Sequence, residues 1–171
     1  MKEFGNIESF VEHLTAVAIA EDLAAKKALS KCLKIVEKRA KEKFGEYQEQ
    51  AGPFVAWKEL ADSTKADRER QGYPEDEPLL RRGDTRDSIG TAIAVSGMEG
   101  QVGSDSDIAL YQEAGTEHIP PRSFLGGAMA EKLPEIKEIV GGALVGALIG
   151  QHAFASLVGN GIVQGGIAIE E

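Results

Sequence analysis

Near the start of the chain, apolar residues recur at the three- and four-residue spacing of a helix. Ile7, Phe10, Leu14 and Val17 form one row, and Asn6 stands where an N-cap side chain can accept the first free amide protons. A second row, Leu29, Leu33, Val36, Ala40 and Phe44, follows it, with Lys27, Lys31, Lys34, Lys38 and Lys41 on roughly the opposite side. The pattern predicts two amphipathic helices, the second with a basic outer face. Cys32 falls among the apolar positions and has no second cysteine to pair with, so it is expected as a small core residue.

From Gln50 to Gly83 the periodicity breaks. Gly52-Pro53, then Trp57 and Leu60, then a charged run to Gly72 lead into Pro74-Glu75-Asp76-Glu77-Pro78, which reads as a long surface connection with Trp57 as an anchor. Ile89, Thr91, Ile93 and Val95 then alternate with smaller residues as a strand does, and Gly97-Met98-Glu99-Gly100 predicts a hairpin turn into a second strand around Val102. A helical turn is expected over 108–113. Pro120-Pro121 enforce an extended backbone and predict a stiff arm that ends in Phe124 and Leu125.

The last third changes character. Residues 141–169 hold no Asp, Glu, Lys or Arg, and eight of them are glycine. Gly142, Gly146 and Gly150 recur every fourth residue, which places them on one face of a helix at a cost of up to ~1 kcal/mol each relative to alanine. Close approach of another helix would offset that cost. Beyond Gly161 the sequence alternates loosely and is expected to pair as an edge strand. Gln151 and His152 interrupt the most apolar window, so no membrane span is expected. The expected class is α+β: N-terminal amphipathic helices, a small antiparallel sheet with a hairpin, a C-terminal helix and a glycine-rich tail. Residues 1–140 are expected to form one domain and 141–171 an uncharged assembly segment.

Charge refines this picture. The net charge is -9, but residues 1–82 carry 15 Lys and Arg against 16 acids, whereas residues 83–171 carry 4 against 12. A chain so acidic is not expected to wrap nucleic acid over its whole surface, because phosphate binding is driven by Lys and Arg. Residues 26–43 are the exception, with eight basic residues and two acids, a surplus that is solvated or matched by an acidic partner. The N-terminus has acids where a secretory signal needs a basic and then an apolar region.

No catalytic motif is present: there is no glycine-rich phosphate loop, HExxH, GxSxG or paired-cysteine pattern. Asp84, Asp87, Asp105, Asp107 and Glu113 supply carboxylates in the acidic half, but no spacing selects a pair for acid/base work. No enzymatic activity, cofactor or metal is expected, a small metal-dependent hydrolase being the remote alternative.

The middle of the chain carries a resemblance. Trp57, Leu60 and Thr64, then Pro78-Leu79-Leu80-Arg81, Gly83 and Arg86-Asp87-Ser88-Ile89, begin an ordered set. Tyr111-Gln112, Gly115-Thr116, Ile119-Pro120-Pro121-Arg122 and Phe124-Leu125-Gly126 complete it. This set, over about residues 55–130, resembles the virion-morphogenesis (tail-completion) family of Mu-like phages and is similar to neck proteins of other long-tailed phages. Arg82 and Thr85 depart from the residues usual around the family's glycine, and Ser123 stands where its arm typically has a second proline.

The resemblance implies an α+β subunit, without catalytic residues, of a ring of six at the neck or the head-proximal tail end. A tail terminator or head–tail stopper is the alternative within the same class. Such a protein belongs to the virion, and to the host cytoplasm during assembly, with connector and tail-tube proteins as neighbours. DNA would pass through the ring without specific binding. Pro120, Pro121, Arg122, Phe124, Leu125, Gly142, Gly146 and Gly150 are the expected interface residues. The lysine row from Lys27 to Lys41 is expected to face away from the bore, and the acidic second half of the chain to line it.

Overall fold

The computed structural model describes residues 6–159, with side chains placed for 6–147. The protein is α+β. Its elements run α1 (Ile7–Glu42), α2 (Asp62–Arg70), α3 (Asp84–Asp87), β1 (Gly90–Ile93), β2 (Gly100–Gly103), α4 (Asp107–Ala114) and α5 (Leu125–Gly159). They divide into two compact units, one of residues 29–137 and one drawn from the described residues before 29 and after 137. That division groups the first 28 residues with the C-terminal side.

The two expected N-terminal helices are one. Between the apolar rows, residues 18–28 consist mainly of Ala, Leu, Glu and Lys with no glycine or proline, so nothing in their propensities stops the first helix before the second begins. Asn6 caps it, its side-chain oxygen accepting from the Ser9 amide at 2.8 Å.

The core of the 29–137 unit forms on the second row of α1. Val36, Ala40 and Phe44 are buried with Trp57, Ile89, Ala109, Phe124 and Ala128. Cys32 and Leu33 are buried on the same helix, as expected. Burial pushes the Cys32 thiol up from its ordinary value. The rings of Phe44 and Phe124 meet edge to face, with centroids 5.1 Å apart.

The hairpin forms in the expected place, with Thr91 opposite Val102 and Ile93 opposite Gly100. It packs so closely on α1 that a Cβ at Gly100 would lie 2.5 Å from Leu33 Cδ1. The alternating row faces the core only at its start: Ile89 is buried, whereas Ile93 and Val95 are exposed. Among the described residues, the two strands have no second layer over their outer half, so the period-2 pattern continues where these residues offer nothing for it to bury against.

The 50–83 connection holds structure that the periodicity missed. α2 carries no apolar stripe and is docked by polar side chains instead. Arg68, 4 % exposed, donates from Nε to the Pro74 carbonyl at 2.7 Å and from Nη2 to the Leu80 carbonyl at 2.6 Å. The Tyr47 hydroxyl donates to Asp76 at 2.5 Å and accepts from the Leu60 amide at 3.0 Å, and Lys65 pairs with Asp76 at 3.0 Å. The acidic segment is therefore fastened to the fold, and Pro78 within it is fully buried.

α5 is anchored to α1 by one ion-pair group. Glu131 accepts from Arg39 Nε at 2.6 Å and from Lys43 Nζ at 2.5 Å, while Lys43, 1 % exposed, also reaches Gln48 at 3.1 Å. Burial pushes the Glu131 carboxyl up, but the hydrogen bonds and charges of Arg39 and Lys43 outweigh it and hold the group below its ordinary value of 4.5. A carboxyl lowered by folding contributes stability that is complete above the unfolded value and is lost as pH falls through the folded one.

Two outcomes are expected in urea unfolding. Lowering the pH from about 6 to about 3 reduces the midpoint, with the loss setting in below the ordinary carboxylate value; Glu131→Gln is less stable at the higher pH and loses less on acidification. Phe124→Ala costs ~3–5 kcal/mol, as for an aromatic side chain in a packed interior.

Candidate functional site

The polar docking of α2 and the arm creates a cleft of about 660 Å³ in the 29–137 unit. Its walls are the 58–61 segment with the start of α2, the 79–85 loop, one side of α4, and residues 118–122. Arg122 holds two of these together. Its Nη2 donates to the carbonyls of Lys58 at 3.0 Å and Glu59 at 3.3 Å, and its amide donates to the Gln112 carbonyl at 2.7 Å, which ties the arm to α4.

Arg68 shapes the opposite side by fixing both ends of the 74–80 segment. Leu79 between them adopts φ 62°, a left-handed conformation that costs a non-glycine residue roughly 1–2 kcal/mol. The bonds on either side impose it, the Pro78 carbonyl accepting from the Gly45 amide at 2.9 Å and the Leu80 carbonyl from Arg68. Gly115, at φ 77°, makes the turn that sends the arm back over α4, and a Cβ there would lie 2.9 Å from the Pro121 nitrogen.

The lining is basic. Lys58, Arg68, Arg81, Arg82 and Arg122 face it with His118, against Glu59 and Asp84, so a chain of net charge -9 concentrates positive charge here. Arg82 pairs with Asp84 at 3.0 Å on the exposed rim. Arg81 pairs with Asp67 at 2.8 Å and lies 5.4 Å from the centre of the Tyr73 ring. Burial pushes the Arg122 guanidinium down from its ordinary value, though not far enough to discharge a group of this kind.

The cleft also holds two unmatched groups. Arg122 Nε and Gln112 Oε1 are buried and have no hydrogen-bond partner among the described residues. A buried donor or acceptor left in this state costs ~1–3 kcal/mol. One is a donor and the other an acceptor, and their backbones are already bonded to each other.

The expected site residues separate. Arg122 and Pro120 line the cleft, Pro121 is exposed, and Leu125 packs partly buried against the core. Phe124 and Arg122 were expected at an interface; the structure places both in the chain's own interior, Phe124 completely and Arg122 at 5 % exposure, because the turn at Gly115 folds the arm inward. Gly142 and Gly146 lie on α5 in open space, a Cβ on either meeting nothing within 4 Å, so the close helix approach is not formed among the described residues. Gly150 and the segment beyond Gly161 lie outside the residues whose side chains are described.

In the lysine row, Lys27, Lys31, Lys34 and Lys38 are exposed, and Lys41 is half-buried against Glu37 at 2.7 Å. The row lies on α1 and does not line the cleft.

Glu113 is engaged by the start of α5, accepting from the amides of Phe124, Leu125 and Gly126, each at 2.8 Å, and from the Ser123 hydroxyl at 2.5 Å. Among the described residues, no group of three or more His, Cys, Asp or Glu is placed to hold a metal, and no helix is long and apolar enough to cross a membrane. Sequence reasoning missed Lys58 and Arg68 as cleft residues. Their signal is only that basic residues fall at 58, 65 and 68 beside the residues that carry the resemblance.

Comparisons with protein-family models, with curated proteins and with solved structures return no match.

Arg68→Ala removes the buried guanidinium that holds the Pro74 and Leu80 carbonyls and frees the 74–80 segment. It is expected to cost ~2–4 kcal/mol in denaturant unfolding and to open that segment to proteolysis, whereas Arg70→Ala on the exposed side of α2 does neither.

Proposed function

We propose that the chain is a structural, non-enzymatic subunit of a ring at the neck or head-proximal tail end of a tailed bacteriophage, completing the tail and joining it to the head. The phage placement rests on the ordered residues from Trp57 to Gly126. In support, much of that set, including Leu60, Thr64, Arg81, Gly83, Gln112 and Arg122, lines one cleft although it is dispersed along the sequence.

The observation that carries the assembly reading is an apolar face that stays exposed among the described residues. Along α1, Ile7, Val11 and Leu14 fall at the same helical positions as the residues that build the core from Leu29 onward, yet Ile7 is 82 % exposed and the other two about half. On α5, Val140, Leu144 and Val145 are likewise exposed. Exposed apolar side chains at regular spacing on long helices suit a subunit that completes its packing on neighbours. Rings close when one heterologous contact repeats with the right rotation, and six copies is the number the resemblance implies.

The exposed lysine row is compatible with an outward position, and an acidic lining of the bore with the passage of DNA, since cations there would hold phosphates. The virion, reached from the host cytoplasm, is the proposed location.

The purified protein is expected to be monomeric or weakly associated, because contacts that neighbours would supply are missing. Mass measurement in solution checks this, and a stable large ring formed by the protein alone at low concentration contradicts it. Images of assembled necks decide the placement: a ring containing this chain, with Lys31, Lys34 and Lys38 away from the bore, is the expected result. A bore lined by those lysines overturns the orientation, and particles lacking the chain overturn the function.

A further inference from the structure

We propose that the basic cleft between α2, α4 and the 118–122 arm is a docking site for an extended acidic peptide segment of a partner protein. Its carboxylates would be held by Lys58 and Arg82 at the rim, and its backbone seated over Arg122 and Gln112. The proposal takes its partner from the reading of the chain as an assembly subunit, but its chemistry comes from the cleft alone.

Three features of the cleft select this occupant. Its charge is opposite in sign to that of the chain, with five Lys and Arg against two acids in a protein of net charge -9. Opposite potentials of this kind steer and orient a partner. Two of its lining residues carry a buried donor, Arg122 Nε, and a buried acceptor, Gln112 Oε1, both without a hydrogen-bond partner among the described residues. A peptide unit offers a carbonyl and an N–H together, and once the half-buried Gln112 side chain turns to admit it, it satisfies both. The walls between the charges are apolar, from Leu60, Leu79 and Ile119, and accept aliphatic side chains between the carboxylates. The volume lies within the range of about 300–1,000 Å³ typical of sites that enclose a ligand.

A nucleic-acid strand fits less well. It needs a continuous track of cations for successive phosphates, whereas Glu59 and Asp84 interrupt the lining.

The test uses the full chain and a dye-labelled synthetic peptide of alternating glutamate and isoleucine, followed by fluorescence anisotropy. The expected result is saturable binding that weakens with salt. Lys58→Glu with Arg82→Glu should reduce affinity by about tenfold or more, and Lys31→Glu, on α1 away from the cleft, should leave it unchanged. Gln112→Glu places a carboxylate beside Arg122; it should raise the melting temperature while weakening the peptide, a combination that loss of fold does not produce.

Equal binding of a lysine–isoleucine peptide, or displacement of the acidic peptide by a duplex DNA oligonucleotide at equal concentration, overturns the proposal. So does the absence of saturable binding by the unaltered protein. That last result leaves the ring reading intact, because it is decided separately by images of assembled particles.

Discussion

The carboxylate of Glu113 sets the geometry on which the rest of the central unit depends. It stands at the end of α4 and takes four hydrogen bonds from the four consecutive residues that open α5. The first turn of a helix has amides with no partner inside the helix and a partial positive charge, so an anion there is favoured twice over. Because the cap comes from the preceding helix, it closes residues 114–122 into a fixed loop. Phe124 is then placed against Phe44, and Arg122 is brought within reach of the Lys58 and Glu59 carbonyls. Core, arm and cleft wall follow from one acceptor.

Ser123 makes sense in the same terms. It is buried, with its hydroxyl on Glu113. A proline at that position would keep the backbone extended but would offer no donor. The chain obtains the same rigidity from a hydrogen bond, and that links the arm to α4 more tightly than a stiff backbone could.

The parts of the fold legible in the sequence are those in which burial follows a period. The second row of α1, the hairpin turn and the small helix before Gly115 all lie where apolar spacing and turn residues put them. α2 was not legible, because its nine residues carry no apolar stripe and its order comes from Arg68, Lys65 and their partners elsewhere in the chain. The continuity of α1 was hidden for the opposite reason: two separate rows suggested two helices, although the residues between them favour helix throughout. For the cleft, Arg122 and Gln112 stood out in the sequence but the contact between them did not. That contact depends on the turn at Gly115, a three-dimensional fact that no spacing reports.

The distribution of charge looks different once the side chains are placed. Within the acidic second half of the sequence, several members have separate tasks inside the chain. Glu113 caps α5, Glu131 joins Arg39 and Lys43, and Asp84 stands at the rim of the cleft. Asp76, from the first half, is held below its ordinary value by the Tyr47 hydroxyl and Lys65. The engaged carboxylates hold the central unit in shape. Basic residues are likewise found in two groups, a largely exposed row on α1 and a cluster around the cleft, in which Arg68 and Arg122 are buried and Lys58, Arg81 and Arg82 are exposed. A uniformly acidic surface would repel copies of itself and acidic partners alike. Apart from the exposed row on α1, positive charge is gathered in one concave site, where that repulsion is locally reversed and a complementary segment would be oriented by the charges around it.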